Sequence, residues 1–157
     1  MNLYIKQKVF SFGDSFTIYN EQGDPCFLAR GEVFSLGKRL HITDLAGNEL
    51  ALIQQKLFSF LPKYYISRGG RDVAEVVKHF TFFKQEYSVN GFGWSIQGDF
   101  FAHEYEIYCG DVPAVTVSKQ WFTWGDTYEI AVAPGIDPID ALAVVLVIDA
   151  CNEASAN

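Results

Sequence analysis

Along most of the chain, large apolar residues alternate with polar ones in short runs, the period-two pattern of strands that bury one face. The runs Leu3 to Phe10, Ser15 to Asn20, Cys26 to Phe34, Arg39 to Asp44, Leu50 to Phe58 and Lys63 to Ser67 predict six strands. Asp72 to Phe80, Phe83 to Val89, Trp94 to Gly98, Glu104 to Cys109, Ala114 to Lys119 and Asp126 to Val132 predict six more. Turn-forming clusters separate alternate pairs: Glu21-Gln22-Gly23-Asp24, Ala46-Gly47-Asn48, Arg68-Gly69-Gly70-Arg71, Asn90-Gly91-Phe92-Gly93 and Gly110-Asp111. Such clusters between alternating runs read as hairpins.

The hairpins are copies of one unit. Phe10-Ser11-Phe12-Gly13-Asp14-Ser15-Phe16-Thr17-Ile18 reappears near the other end as Phe122-Thr123-Trp124-Gly125-Asp126-Thr127-Tyr128-Glu129-Ile130. With the last Ile as anchor, further copies fit at Ile42, Ile66, Val89 and Ile107. Two places before the anchors stand Phe16, Leu40, Tyr64, Tyr87, Tyr105 and Tyr128; six before stand Phe12, Leu36, Phe60, Phe83, Phe101 and Trp124. Residues two apart on a strand share a face, so each unit offers an apolar ladder to a common interior. The first strand lacks a partner before it and the last lacks one after it. Pairing them closes the sheet and removes both exposed edges.

After the last strand the pattern changes. Asp137-Pro138-Ile139-Asp140 begins with an N-cap residue, a proline suited to the first helical position and an acid suited to the first turn. A helix over about 137–152 follows, apolar on every side from Ala141 to Ile148. A helix without a polar face must be enclosed. A barrel of about twelve strands is wider than side chains alone fill, and a helix is roughly 10–12 Å across, so the helix is predicted to plug the barrel.

Composition narrows the setting. The 157 residues suit a single domain, 1–157, and 49% hydrophobic with 20% charged residues is a globular balance. A net charge of −7 opposes broad attraction to DNA, RNA or an anionic bilayer, so no nucleic-acid partner is expected. Cys26, Cys109 and Cys151 are too few and too scattered for a disulfide framework or a paired-thiolate zinc site. The N-terminus enters strand character at once, without the apolar stretch of a secretory signal, and the longest apolar run falls short of a bilayer-crossing segment. A cytoplasmic protein with no transmembrane segment is the expectation.

The ordered series Tyr87-Ser88-Val89, Trp94-Ser95-Ile96-Gln97-Gly98-Asp99-Phe100, Glu104-Tyr105-Glu106-Ile107, Val115-Thr116-Val117-Ser118-Lys119 and Asp126-Thr127-Tyr128-Glu129-Ile130, leading to the apolar tail helix, resembles the LURP-one-related proteins. These belong to the Tubby C-terminal-like superfamily, which also holds the phospholipid scramblases. The resemblance implies a mainly β fold: a closed antiparallel twelve-stranded barrel around a buried hydrophobic C-terminal helix. It implies no established catalytic activity and no cofactor. The cationic site through which Tubby proteins bind phosphoinositide head groups does not map onto this chain residue by residue. The leader, acylated stretch and terminal membrane segment of the scramblases have no counterpart in this sequence, which argues against scrambling.

Candidate chemistry is sparse. In an up-and-down barrel the six aromatic connections share one rim, where Lys38, Arg39, Lys63 and Lys84 lie beside Phe60, Phe82 and Phe83, with Leu61 among them. Cations among aromatics suit an anionic lipid head group, a membrane surface or a protein partner; the bland alternative is that the aromatics seal the mouth and the lysines keep it soluble. Among His41, His79 and His103, the pair His103-Glu104 lacks the second histidine that a zinc-protease helix needs, and His103 is expected at the surface. Glu104 and Glu106 alternate with Tyr105 and Ile107 and are expected to face water, while Cys26 and Cys109 are expected to pack without reacting. The expectation is a non-enzymatic binding or scaffold module acting at one barrel rim, on a protein partner or peripherally at a membrane; the alternative is a small-molecule carrier or enzyme using a barrel cavity.

Overall fold

The structure, a computed structural model, describes residues 1–6, 15–32, 36–80, 85–120 and 127–156, with the side chains of 85 and 153–156 set aside. Twelve strands and one helix make up the described chain. In order they are β1 (Asn2–Lys6), β2 (Ser15–Tyr19), β3 (Pro25–Gly31), β4 (Arg39–Asp44), β5 (Glu49–Gln55), β6 (Lys63–Arg68), β7 (Arg71–Phe80), β8 (Gln85–Asn90), β9 (Trp94–Asp99), β10 (Glu104–Cys109), β11 (Val112–Gln120), β12 (Thr127–Val132) and α1 (Pro138–Ala156). Each strand pairs antiparallel with its sequence neighbours, and β1 pairs with β12 through Leu3 opposite Ile130, so the barrel closes as the unpaired ends required.

Several boundaries differ from expectation by a residue or two, and two differ by more for a physical reason. The fifth strand stops at Gln55 rather than Phe58, because Phe58 takes a left-handed φ of 57° and turns the chain away from the ladder. The helix runs past 152 to Ala156. Glu153, Ala154 and Ala156 are good helix formers, and the Asn152 amide is held by the Phe100 carbonyl at 2.8 Å, so nothing ends the helix where the apolar run stops. The parts of expected strands at 7–10, 33–34, 83–84 and 126 lie outside the described residues.

The repeat becomes a set of rings. Ile18, Ile42, Ile66, Val89, Ile107 and Ile130 are all buried, forming one belt, and Leu40, Tyr64, Tyr87, Tyr105 and Tyr128 form a second belt beside it. Small residues stand next to large ones: Ile42 lies between Ala29 and Ala51, and Ile66 pairs with Ala74 on one side. This leaves the width a helix needs. From Ala141 to Ile148 every side chain is buried, whichever way it points, and each fully buried aliphatic side chain contributes about 1.5–3 kcal/mol.

The helix enters at the tight-turn rim. The Asp137 carboxylate accepts the Ile139 N–H at 2.8 Å and its carbonyl accepts the Ala141 N–H at 3.1 Å, the cap its sequence predicted. Arg68, closing β6, reaches Asp140 at 2.6 Å and Asp137 at 3.2 Å. Burial raises the Asp140 carboxyl above its ordinary range, with the Arg68 guanidinium pulling it back. The helix therefore ends at the opposite rim, among the aromatic connections.

Candidate functional site

A cavity lies near the end of the helix, at the rim of the barrel mouth. Residues 55–62, connecting β5 to β6, arch over this cavity, of about 420 Å³. Its lining includes Leu57, Phe58, Phe60 and Phe80, with Lys78, Tyr64 and Cys151 also contributing. Lys78 follows Ala74 and Val76 on the inward-facing register of β7 and is 1% exposed, whereas Phe58 and Phe60 are 104% and 100% exposed. Lys78, Tyr64 and Cys151 thus form a polar floor, and the phenylalanines an apolar brim. The arch is tied down by backbone bonds: Gln55 N–H to the Lys38 carbonyl at 2.8 Å, Lys56 N–H to the Lys63 carbonyl at 2.9 Å and Lys78 N–H to the Pro62 carbonyl at 2.9 Å.

The electrostatics of the floor follow from burial. Desolvation pushes the Lys78 ammonium below its ordinary range, and its Nζ lies 5.4 Å from the centre of the Phe80 ring. Burial pushes the Cys151 thiol up to about 11, while Lys78 and Lys38 pull it back, so both lysines project toward this end of the helix. A thiol held that high stays protonated at neutral pH and is a poor nucleophile. Two lysines, Lys56 and Lys78, line the cavity of a chain whose net charge is −7.

The other side of the mouth carries a closed polar cluster. Asp149, one turn before the helix's last residues, accepts from the Tyr128 hydroxyl and lies 3.2 Å from His103 Nε2. His103 stacks on Tyr128 with ring centres 4.4 Å apart, and Tyr87 donates to Asn152 at 3.4 Å. Burial, with Asp149 nearby, drives the Tyr128 and Tyr105 hydroxyls well above their ordinary range. His103 is therefore not a surface histidine. The left-handed turn at φ 53° folds it inward, where Asp149, distant in sequence, supplies its partner.

The expected site residues separate. Lys38 approaches the cavity side, and Phe60 is on its brim. Arg39 and Lys63 begin their strands at the same rim but pair outward, with Glu32 and Glu75, each at 3.6 Å. Lys84, Phe82 and Phe83 lie outside the described residues. Of the six positions six residues before the anchors, the described Leu36, Phe60 and Phe101 are all exposed, so these three do not seal the mouth. Lys78 was missed, although the alternation Ala74, Val76, Lys78 had already put it on the inward face.

Elsewhere the candidates have ordinary roles. His41 lies between Glu32, at 2.6 Å, and Glu49, and His79 shares a hydrogen bond with Ser88 at 2.9 Å. Glu104 is exposed and Glu106 half-buried on the outer face; Cys26 is half-buried, and Cys109 is exposed rather than packed because it sits at the strand's end beside the Gly110 turn. No group of three His, Cys, Asp or Glu side chains suited to a metal ion occurs among the described residues. No helix among them is long and apolar enough to cross a membrane.

A twelve-stranded barrel wrapped on its own C-terminal helix defines a structural class, and comparison with known proteins agrees. The sequence profile of the LURP-one-related family matches residues 1–149, and the chain belongs to that family. It is 41% identical over 149 residues to the "Uncharacterized protein YxjI" of Bacillus subtilis (strain 168), an alignment covering 95% of this chain and 92% of that protein. It is 20% identical to "Protein LURP-one-related 15" of Arabidopsis thaliana, across 97% of this chain and 80% of the other. A crystal structure of an Arabidopsis thaliana protein superposes with a TM-score of 0.70 at 16% identity, covering 96% and 90% of the two chains, a likeness of fold.

Proposed function

We propose that this chain is a non-enzymatic binding module that docks by its aromatic rim on an anionic membrane surface in the cytoplasm. The observation that carries this reading is the exposed set Leu57, Phe58, Phe60 and Phe80 surrounding a cavity with a buried lysine in its floor. Apolar side chains held fully in water gain by entering the interfacial layer of a bilayer, and each nearby cation adds about 1 kcal/mol at an anionic surface. Lys56 and Lys78 line the cavity at this face of an otherwise acidic chain, and Arg39 and Lys63 begin their strands at the same rim, each beside a glutamate. Three free cysteines fit a reducing compartment.

Cosedimentation with vesicles tests this. Binding to phosphatidylserine vesicles is expected, weaker at high salt, absent on phosphatidylcholine alone, and reduced at least tenfold by Phe58→Ser with Phe60→Ser. Equal binding to both vesicles, or no loss in the double variant, ends the lipid reading; retention on neither leaves the rim to a protein partner.

A further inference from the structure

Residues 55–62 are described throughout, and along them exposure runs opposite to what folding alone rewards. Phe58 and Phe60 are wholly exposed, Leu57 is 42% exposed, and Ser59 and Leu61 are half-buried. The largest apolar side chains thus stand in water while the serine between them is shielded. Phe58 also holds a left-handed φ of 57°, a conformation that a bulky L-residue rarely adopts, and its ring returns no packing to the fold. Single exposed hydrophobics are ordinary on a protein surface, but these rings stand together, with Phe80 63% exposed beside the same cavity, and make a patch.

The arch presents its rings from an anchored base. The Gln55 and Lys56 N–H groups donate to the Lys38 and Lys63 carbonyls, and the Pro62 carbonyl accepts from the Lys78 N–H. Leu57 lies so close to Gly37 that a Cβ added there would come within 2.8 Å of its side chain. Rings held in place before contact lose little freedom on binding. Charge at the base is sparse by comparison: Lys56 is exposed, Lys63 lies 3.6 Å from Glu75, and the whole chain carries −7. Full burial of one phenylalanine ring favours transfer by roughly tenfold to a hundredfold, whereas one lysine at an anionic surface adds about fivefold. The rings therefore outweigh the cations.

We propose that this arch is a wedge for loosely packed anionic membranes: Phe58 and Phe60 enter together between spread head groups and reach the acyl layer, with Lys56 at the phosphates. The inference rests on the rim reading and names the kind of bilayer that rim selects. A ring is buried only where head groups part, and parting them costs least where curvature has already spread them. A surface that bound by charge alone would follow the anionic lipid fraction and ignore packing.

Flotation of the whole protein with small sonicated and large extruded vesicles, matched in dioleoyl lipid composition, phosphatidylserine fraction and accessible lipid, tests this. The wild type should bind the small vesicles about fivefold more tightly than the large ones. Phe58→Ser with Phe60→Ser should weaken binding to both and abolish the preference, while Phe58→Leu with Phe60→Leu retains it. Lys56→Gln should weaken binding to both vesicles alike. The proposal is overturned by equal wild-type affinity for the two vesicles, a result that needs no variant to fold, or by a preference that survives in the folded serine variant. Phosphatidylserine binding without a size preference ends the wedge and leaves the rim reading standing; binding to neither vesicle ends both.

Discussion

The two rims of this barrel are made from the same strands and differ in almost everything else. At the helix's entry the connections are tight turns set by glycine and asparagine, and charges meet in short, local pairs such as Arg68 with Asp137 and Asp140. At its exit the connections are longer, and Leu36, Leu57, Phe58, Phe60, Phe80 and Phe101 stand exposed. The interior just below them contains Lys78, His103 and Asp149. One rim spends its residues on geometry. The other exposes apolar surface and buries charge, both of which work against the stability of an isolated soluble domain.

The sharpest way to break the comparison is at the tight rim. A Cβ at Gly91 would lie 2.3 Å from the Val73 carbonyl oxygen, at a φ of 107°. Gly91→Ala should lose about 3 kcal/mol in urea denaturation, from the left-handed strain and the backbone overlap together. A loss under 1 kcal/mol would mean the turn can move, and glycine geometry would no longer set the tight rim apart. Next comes Asp149→Ala at the other rim, which removes the acceptor shared by His103 and Tyr128 and should cost about 2 kcal/mol. If stability is unchanged, the polar cluster is not holding the helix end.

Phe58→Gly tests strain directly. It removes an exposed ring and a left-handed penalty, while glycine adds chain entropy to the unfolded state, so stability should stay level or rise by up to about 1 kcal/mol. Vesicle retention should fall in the same variant. Destabilisation would show that the ring packs, and would remove the strain argument. The smallest effect is on the outer wall, where Asp44 lies at the tight rim and Glu32 follows β3 at the other. Hydrogen bonds from Asn48 hold the Asp44 carboxyl below its ordinary 3.8, and His41 holds Glu32 below 4.5. The native state therefore binds fewer protons than the unfolded chain. These contributions are present above about pH 4.5 and fade as pH falls through the lowered native values. Glu32→Gln with Asp44→Asn should flatten the acid limb of a stability-pH curve slightly; an identical limb would remove both groups from the account.

Much of the molecule was legible because its signals are local. The buried anchors from Ile18 to Ile130, the glycine turns and the Asp137-Pro138 cap each follow from a few adjacent residues, and the closing pair followed from two strands left without partners. The site was only half legible. Lys38 and Phe60 lie at the rim where their connections put them, and the parity of β7 already turned Lys78 inward, yet a lone lysine at a strand end reads like any solvated charge. His103 was misplaced because its partner lies 46 residues away on the helix.

By itself the sequence determined the periodicity, the number of strands, their closure and the burial of the helix, since apolar alternation and capping leave one economical arrangement. Only the tertiary structure decided which aromatics face water and which charges share a cavity. Those outcomes depend on where the helix end meets particular strands, a distance set by packing across the barrel and written in no single stretch of chain.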